Sequence, residues 1–324
     1  MESFKKEKLK VCVFTNGLKK NTYAWPSLNA FAQGVKTCND HIQFVEKPVY
    51  KPCDIAVIFG DIREAPGKSK RMPNQSQVKG RHIRRGLIVI DTAILTRPTH
   101  VGSQYRRIGI DGFLRNEADF ANIGMPSDRW NKVSTHANLK MNPWRTDGDH
   151  ITIVLQRPFD ASLKSSQRLR PQKYKTWLLE LISQLQNKSD FPIHIRPHPG
   201  SLGQIDEEKW LQNIKDEAPK NNIIWDTRSV SFEQAMEKCR LCVTYNSGAG
   251  VDAALLGIPV MTCDSGSFAW DVAVHDLNQW NPDMPYTPDR QQWLNNMSYV
   301  EWNLDEITNG EPWMHLRSRL MESF

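Results

Sequence analysis

Short apolar runs that each end in turn-forming residues recur along this chain, with helix-length stretches between them. Residues 10–16 (KVCVFTN), 54–60 (DIAVIFG) and 86–91 (GLIVID) have this form. A run this short and this apolar reads as a strand buried on both faces, the state of strands in parallel sheets. The intervening stretches 26–37 and 74–85 are long enough for helices. Strands alternating with helices imply right-handed crossovers and a parallel sheet, which gathers its ligands at the carboxyl ends of the strands.

A second series of the same kind starts near Asp149. Residues 150–155 predict a strand, and Tyr174, Trp177, Leu178, Leu181, Ile182 and Leu185 lie at the spacing of one buried helical face. Strands follow at 192–196, 222–226, 241–245 and 258–262, with helices at 207–218, 232–238 and 250–256 between them. The chain is 324 residues long and 39% hydrophobic, enough for two cores. The expected division is a domain 1–148, a domain 149–288, and a tail 289–324. The tail, with Trp293, Tyr299, Trp302 and Trp313, is expected to be helical and to pack across both domains.

Charge is divided unevenly. The net charge is +6, yet the first 150 residues are markedly basic and the rest is acidic. The densest basic stretch holds Lys68, Lys70, Arg71, Lys79, Arg81, Arg84 and Arg85, with Arg63 just before it. A local excess of this kind is the footprint of a polyanion-binding surface, and double-stranded DNA is the expected partner. A solvated helix face followed by a loop gives the same composition. No stretch approaches the roughly 20 apolar residues of a membrane span. The N-terminal residues lead into a strand instead of a signal-peptide core, so a cytoplasmic location is expected. The six cysteines are scattered, several of them in strand-like runs. Cys239 and Cys242 have the spacing of half a zinc site, but no second pair accompanies them, and no metal site is expected.

Three strand ends of the second series carry polar groups. Residues 245–252 (YNSGAGVD) join a strand to a helix, where unpaired amides and the helix dipole favour a diphosphate. Gly248 and Gly250 would let the backbone approach it, and Asn246 and Ser247 could donate to it. The loop is neither a Walker A nor a dinucleotide-binding pattern. In residues 195–200 (IRPHPG) prolines stiffen a loop carrying Arg196 and His198, one suited to grip phosphate oxygens and the other to donate a proton. Gln156, Arg157 and Asp160 form the third strand end. Together they outline one pocket.

These segments resemble the nucleotide-sugar half of capsule-polysaccharide-type glycosyltransferases. The similarity runs from Gln156 and Asp160 through Arg196 and His198 to residues 246–260. The whole chain is similar to phage-encoded GT-B proteins that glycosylate hydroxymethylated DNA bases, through residues 108–113, 118–122, 128–130, 142–145 and the tail around Trp302 to Trp313. The resemblance implies an α/β GT-B fold, two Rossmann-like doubly wound parallel-sheet domains facing across a cleft. It implies a nucleotide-sugar donor, UDP-linked by expectation, and no metal, because helix dipole and cationic side chains stabilise the leaving diphosphate. It implies that Gln156 and Asp160 lie near the nucleotide, that Arg196 and His198 lie near the diphosphate, and that Asn246, Ser247 and the amides of Gly248, Ala249 and Gly250 bind phosphate, with Tyr245 beside them. Asp252 stands where related sequences place a ribose-binding Glu. The implied acceptor is the hydroxymethyl group of a modified cytosine or uracil in phage DNA, inside an infected bacterial host.

An acceptor hydroxyl needs a general base. Asp91, at a strand end, is the first choice, Asp61 the second and Asp111 the third. Either of the first two could instead cap a helix. The competing functions are transfer to a capsule or lipopolysaccharide precursor, a non-catalytic DNA- or nucleotide-binding module, and a nucleotide-sugar epimerase.

Overall fold

The computed structural model describes residues 8–18, 23–60, 75–97, 104–164, 171–201, 203–227 and 229–322. They form two compact units. One contains the described residues up to Asn138 together with those from Leu294 onward, and the other is Leu139–Trp293.

The first unit is built on a six-stranded sheet. Its strands are β1 (Lys10–Phe14), β2 (His41–Val45), β3 (Ile55–Phe59), β4 (Leu87–Thr92), β5 (Tyr105–Ile110) and β11 (Glu301–Asn303), in the order β11-β5-β4-β3-β1-β2. The pairs β1–β2, β1–β3 and β3–β4 are parallel, whereas β5 runs antiparallel to both β4 and β11. Helix α1 (Ala24–Thr37) buries Leu28, Phe31, Ala32 and Val35, the i, i+3, i+4, i+7 stripe expected of a core-facing helix. Helix α2 (Gln75–His82) connects β3 back to β4, and α3 (Asp128–Ala137) ends at Asn138 in the left-handed conformation, φ 49°.

The second unit has an all-parallel sheet, β10-β9-β6-β7-β8. Its strands are β6 (His150–Val154), β7 (Ile193–Arg196), β8 (Ile223–Trp225), β9 (Cys239–Thr244) and β10 (Val260–Thr262). Helices α4 (Pro171–Lys188), α5 (Ile205–Glu217), α6 (Phe232–Ala235) and α7 (Ala249–Leu255) supply the connections. Tyr174, Leu178, Leu181, Ile182 and Leu185 of α4 are buried at the spacing read from sequence, and Trp177 is partly covered.

Both unit limits differ from the expected ones. Residues 139–148 belong with the second unit. Asn142 N donates to Leu255 O at 2.9 Å, Arg145 N to Gly257 O at 2.6 Å, and Trp144 Nε1 to Pro288 O at 2.7 Å. Main-chain docking of an extended segment leaves no apolar period to read. Gly257 sits where a Cβ would lie 1.9 Å from Pro143 O, so only glycine admits this segment.

The tail, expected to be helical, also contributes β11, and its helices α8 (Leu304–Thr308) and α9 (Glu311–Met321) join the first core. Trp313 is fully buried, edge-on to Phe31, and donates to Asp40 Oδ2 at 2.8 Å. Arg317 pairs with the same carboxylate at 2.8 Å, and Leu9 N donates to its other oxygen at 2.8 Å. Where α1 meets this tail, a Cβ on Gly34 would lie 2.1 Å from Ile307 O.

Among the described residues no helix is long and apolar enough to cross a membrane. Cys239 and Cys242 are buried strand residues, and burial pushes the Cys239 thiol up to about 11.

Candidate functional site

The carboxyl ends of β6, β7, β9 and β10 lie along one edge of the second sheet. Just past β6 and β9, Gln156 and Asn246 lock together. Gln156 Nε2 donates to Asn246 Oδ1 at 2.6 Å, and Asn246 N donates to Gln156 Oε1 at 3.1 Å. Asn246 Nδ2 reaches Ser162 O at 2.7 Å and Asp264 Oδ1, beyond β10, at 3.0 Å. Three strand ends are thereby tied by one buried polar network whose members satisfy each other. An aromatic group stands behind it. Tyr174 is stacked on Trp177 and on Trp210, each with centroids 5.3 Å apart, and its hydroxyl accepts from Gln156 N at 2.9 Å. Tyr245 packs edge-on to this stack, and burial with Asp264 close by pushes its phenol up to about 12.

Beside this network the ends of β6 and β7 meet. Arg157 holds Glu207 through two nitrogens, with Nε 2.9 Å from Oε1, and Ser201 Oγ donates to Glu207 Oε2 at 2.6 Å. The hydrogen bonds to Glu207 hold the Arg157 guanidinium above its usual range. Gly200 brings the two groups together. A Cβ there would lie 3.2 Å from His198 Nδ1 and 3.7 Å from Arg157 Cδ. Gly200 N donates to His198 Nδ1 at 2.9 Å, so the neutral ring carries its proton on Nε2. A half-buried imidazole with Nε2–H next to an always-charged guanidinium can donate to an anionic leaving group.

Other expected roles change. Arg196 is 2% exposed, ion-paired with Asp226, and donates to Val230 O at 2.9 Å, so its guanidinium braces the loop after β8 instead of facing a diphosphate. Gly250 is packed closely against the sheet. A Cβ there would lie 3.2 Å from Ala269 Cβ and 3.5 Å from Thr244 Oγ1. The first amides of α7 are satisfied locally, Ala249 N by Ser247 Oγ, Gly250 N by Ser247 O, and Val251 N and Asp252 N by Gly248 O. Asp160 Oδ1 accepts from Ser162 N at 2.9 Å and Ser162 Oγ at 2.8 Å, closing the turn that aims residues 161–164. Asp252 lies half-buried in α7.

In the first unit Asp91 is the penultimate residue of β4, opposite Arg107 of β5, and the two are ion-paired at 3.5 Å. Thr92 N donates to Asp91 Oδ1 at 2.6 Å. The loop after β4 is fixed by the fully buried Glu301, which accepts from the amides of Ile94, Leu95 (2.7 Å) and Thr96 (2.9 Å) and from Thr96 Oγ1 at 2.6 Å. Asp111 lies at the opposite edge. Its amide donates to Leu87 O, at the start of β4, and its carboxylate accepts from Arg84 N, both at 2.9 Å, so it is a turn residue away from Asp91. Asp61, Arg63, Lys68, Lys70 and Arg71 lie outside the described residues.

Lys79, Arg81, Arg84 and Arg85 occupy the end of α2 and the turn into β4. Arg81, Arg84 and Arg85 are exposed, as a polyanion surface requires, but they sit at the amino edge of the sheet, one β4 length from Asp91. The helix returns the chain to the strand's start, so its last-turn cations cannot share an edge with a strand-end base.

Four residues of these networks carry no motif that sequence reading finds: Asp264, Glu207, Ser162 and Glu301. A cavity of about 580 Å³ lies elsewhere on the second sheet, lined by His150, His194 and Trp225, away from the Gln156–Asn246 network.

Residues 129–262 match the sequence profile of the LIC12162 family transferase. Two solved structures from Thermosulfurimonas dismutans are similar in fold. KpsC, beta Kdo 2,4 transferase, has a TM-score of 0.56 at 11% identity, covering 98% of this chain and 99% of that one. KpsC, beta Kdo 2,7 transferase, has a TM-score of 0.50 at 12% identity, covering 94% and 99%. No curated protein matches the chain by sequence. The chain has the expected fold class, two Rossmann-like α/β units of the GT-B type, with the antiparallel β5 as a local departure.

Proposed function

We propose that this protein is a glycosyltransferase that moves a sugar from a nucleotide-linked donor, UDP-linked in the first instance, to an acceptor hydroxyl. The observation that carries the reading is the tying of Gln156, Asn246 and Asp264 across three strand ends beside Arg157 and His198. The transferase profile over residues 129–262 and the likeness to the two KpsC transferases support it. As the bond from the anomeric carbon to the diphosphate breaks, charge grows on the departing oxygen. His198 Nε2–H and Arg157 stabilise it, together with the turn at Ser247 and Gly248, and no metal is required for that step. Asp91, ion-paired with Arg107 in the first unit, is the candidate base for the acceptor proton.

The acceptor we favour is a glycan hydroxyl, in keeping with the KpsC likeness. A second reading, hydroxymethylated DNA, draws on the basic first 150 residues and on exposed Arg81, Arg84 and Arg85. Calorimetric titration with a panel of UDP-sugars and other nucleotide-sugars tests the donor reading. Saturable binding that weakens at least tenfold in His198→Ala is expected, and no binding at millimolar donor would sink the proposal. Duplex binding that falls steeply between about 50 and 200 mM salt would shift the acceptor to DNA.

A further inference from the structure

The first sheet reverses its strand order between β1 and β3: β2 lies on one side of β1, and β3 and β4 on the other. That reversal is the place where open α/β sheets bind ligands, at the carboxyl ends of the strands. Thr15 and Asn16 stand there, immediately after β1. The main chain of Thr15 is satisfied, its N by Val45 O at 3.0 Å and its O by Leu18 N at 3.1 Å. The side chains of both residues are not. Asn16 is 1% exposed and Thr15 3%, yet Asn16 Oδ1, Asn16 Nδ2 and Thr15 Oγ1 have no hydrogen-bond partner among the described residues.

Buried amides are almost always paired, and leaving one unpaired costs about 1–3 kcal/mol for each group. An apolar residue of the same size would make this sheet end more stable. An unpaired buried amide at a strand end calls for an explanation, and a bound ligand group is one.

The neighbouring strand ends bear this out. Val13 pairs with Val57 and Phe59 with Ile90. Asn16 and Gly60 follow the carboxyl ends of β1 and β3, and Asp91 lies at the carboxyl end of β4, along the same edge of the sheet. Among the described residues a Cβ on Gly60 would meet nothing within 4 Å. Gly17, next to Asn16, is exposed.

We infer that Asn16, with Thr15, binds the acceptor, and that the acceptor is a neutral polyhydroxylated group. The inference rests on the transfer reading for its chemistry. A carboxamide offers both a donor and an acceptor. Adjacent sugar hydroxyls answer both, whereas a phosphate backbone offers only acceptors and would leave Oδ1 unpaired. Asn16 is thus a positioning residue for the hydroxyl whose proton goes to Asp91.

The test uses the full chain and methyl glycosides of neutral hexoses as probes, followed by tryptophan fluorescence, with melting temperature measured on the same samples. Wild type is expected to bind at least one glycoside saturably. Asn16→Leu is expected to bind it at least tenfold more weakly while melting at the same temperature or higher, and Thr15→Val to show the same pattern with a smaller loss. Unchanged glycoside affinity in Asn16→Leu overturns the inference. So does a clear fall in its melting temperature, which would mean that the amide is bonded within the fold. Wild type that binds nucleotide-sugar but no glycoside overturns this inference alone; wild type that binds no nucleotide-sugar overturns the transfer reading instead.

Discussion

Gln156 and Asn246 hydrogen-bond each other twice, side chain to side chain at 2.6 Å and side chain to main chain at 3.1 Å, across the ends of neighbouring strands. The pair makes the strand ends a fixed platform, because each amide is satisfied by the other and by Ser162 and Asp264. Replacing Asn246 by Ala strands buried polar groups on Gln156 and Asp264. The expected loss is about 3 kcal/mol in urea unfolding, with weaker nucleotide binding. An Asn246→Ala protein as stable as wild type would show that the network does not hold the platform.

Arg196 offers a sharper contrast. Its partners are Asp226 and the Val230 carbonyl, with side chains of the ion pair only 3% and 15% exposed. Removing one member leaves the other buried and uncompensated, so Arg196→Met is expected to lose about 3 kcal/mol of stability or more. Nucleotide-sugar affinity in the folded variant should change little. A stable Arg196→Met protein that no longer binds nucleotide would return Arg196 to the phosphate role read from sequence.

The loop after Asp91 depends on a residue more than 200 positions away. Glu301 accepts from three successive amides of residues 94–96. Glu301→Ala should therefore cost about 3 kcal/mol and raise amide exchange at residues 94–96 before the rest of the first unit opens. Uniform exchange across the unit would contradict this local role.

Stability should fall on acidification in two stages. Burial holds His82, His194 and His315 below the usual histidine range. The unfolded chain then takes up more protons than the folded one as pH drops through about 6.5, and stability falls. Asp40 and Glu306 are lowered despite their burial, Asp40 by Arg317, Leu9 N and Trp313 and Glu306 by Arg129 and Lys132. Their stabilisation is complete above about pH 4.5 and is lost as pH falls through their depressed folded values. Urea unfolding across pH 3–8 checks this, and Asp40→Asn should flatten the acid limb.

What the sequence made legible follows from how each element is stabilised. β6, β7 and β9 are apolar runs whose burial is written in their own residues, and the buried face of α4 is visible in its spacing. β5 and β11 were not legible. β5 is buried along its whole length yet contains Arg106 and Arg107, one lying over the Tyr23 ring at 3.6 Å and the other paired with Asp91. Their partners are remote in sequence, so local pattern shows only charge. The same holds at the candidate site. Motif position singled out His198 and Asn246, but whether an Arg faces a ligand or braces a loop depends on Asp226 and Glu207, which no motif links to it.

The central claim is sugar transfer at the strand ends where His198 lies beside the Gln156–Asn246 network. It is tested most directly by nucleotide release from a panel of nucleotide-sugars, with and without glycan and hydroxymethylated-DNA acceptors, with products identified by mass spectrometry. The account predicts release from at least one donor, faster with an acceptor that gains the mass of the sugar, and reduced at least tenfold in His198→Ala at unchanged melting temperature. Full activity in His198→Ala, or sugar released with no acceptor ever modified, would contradict it.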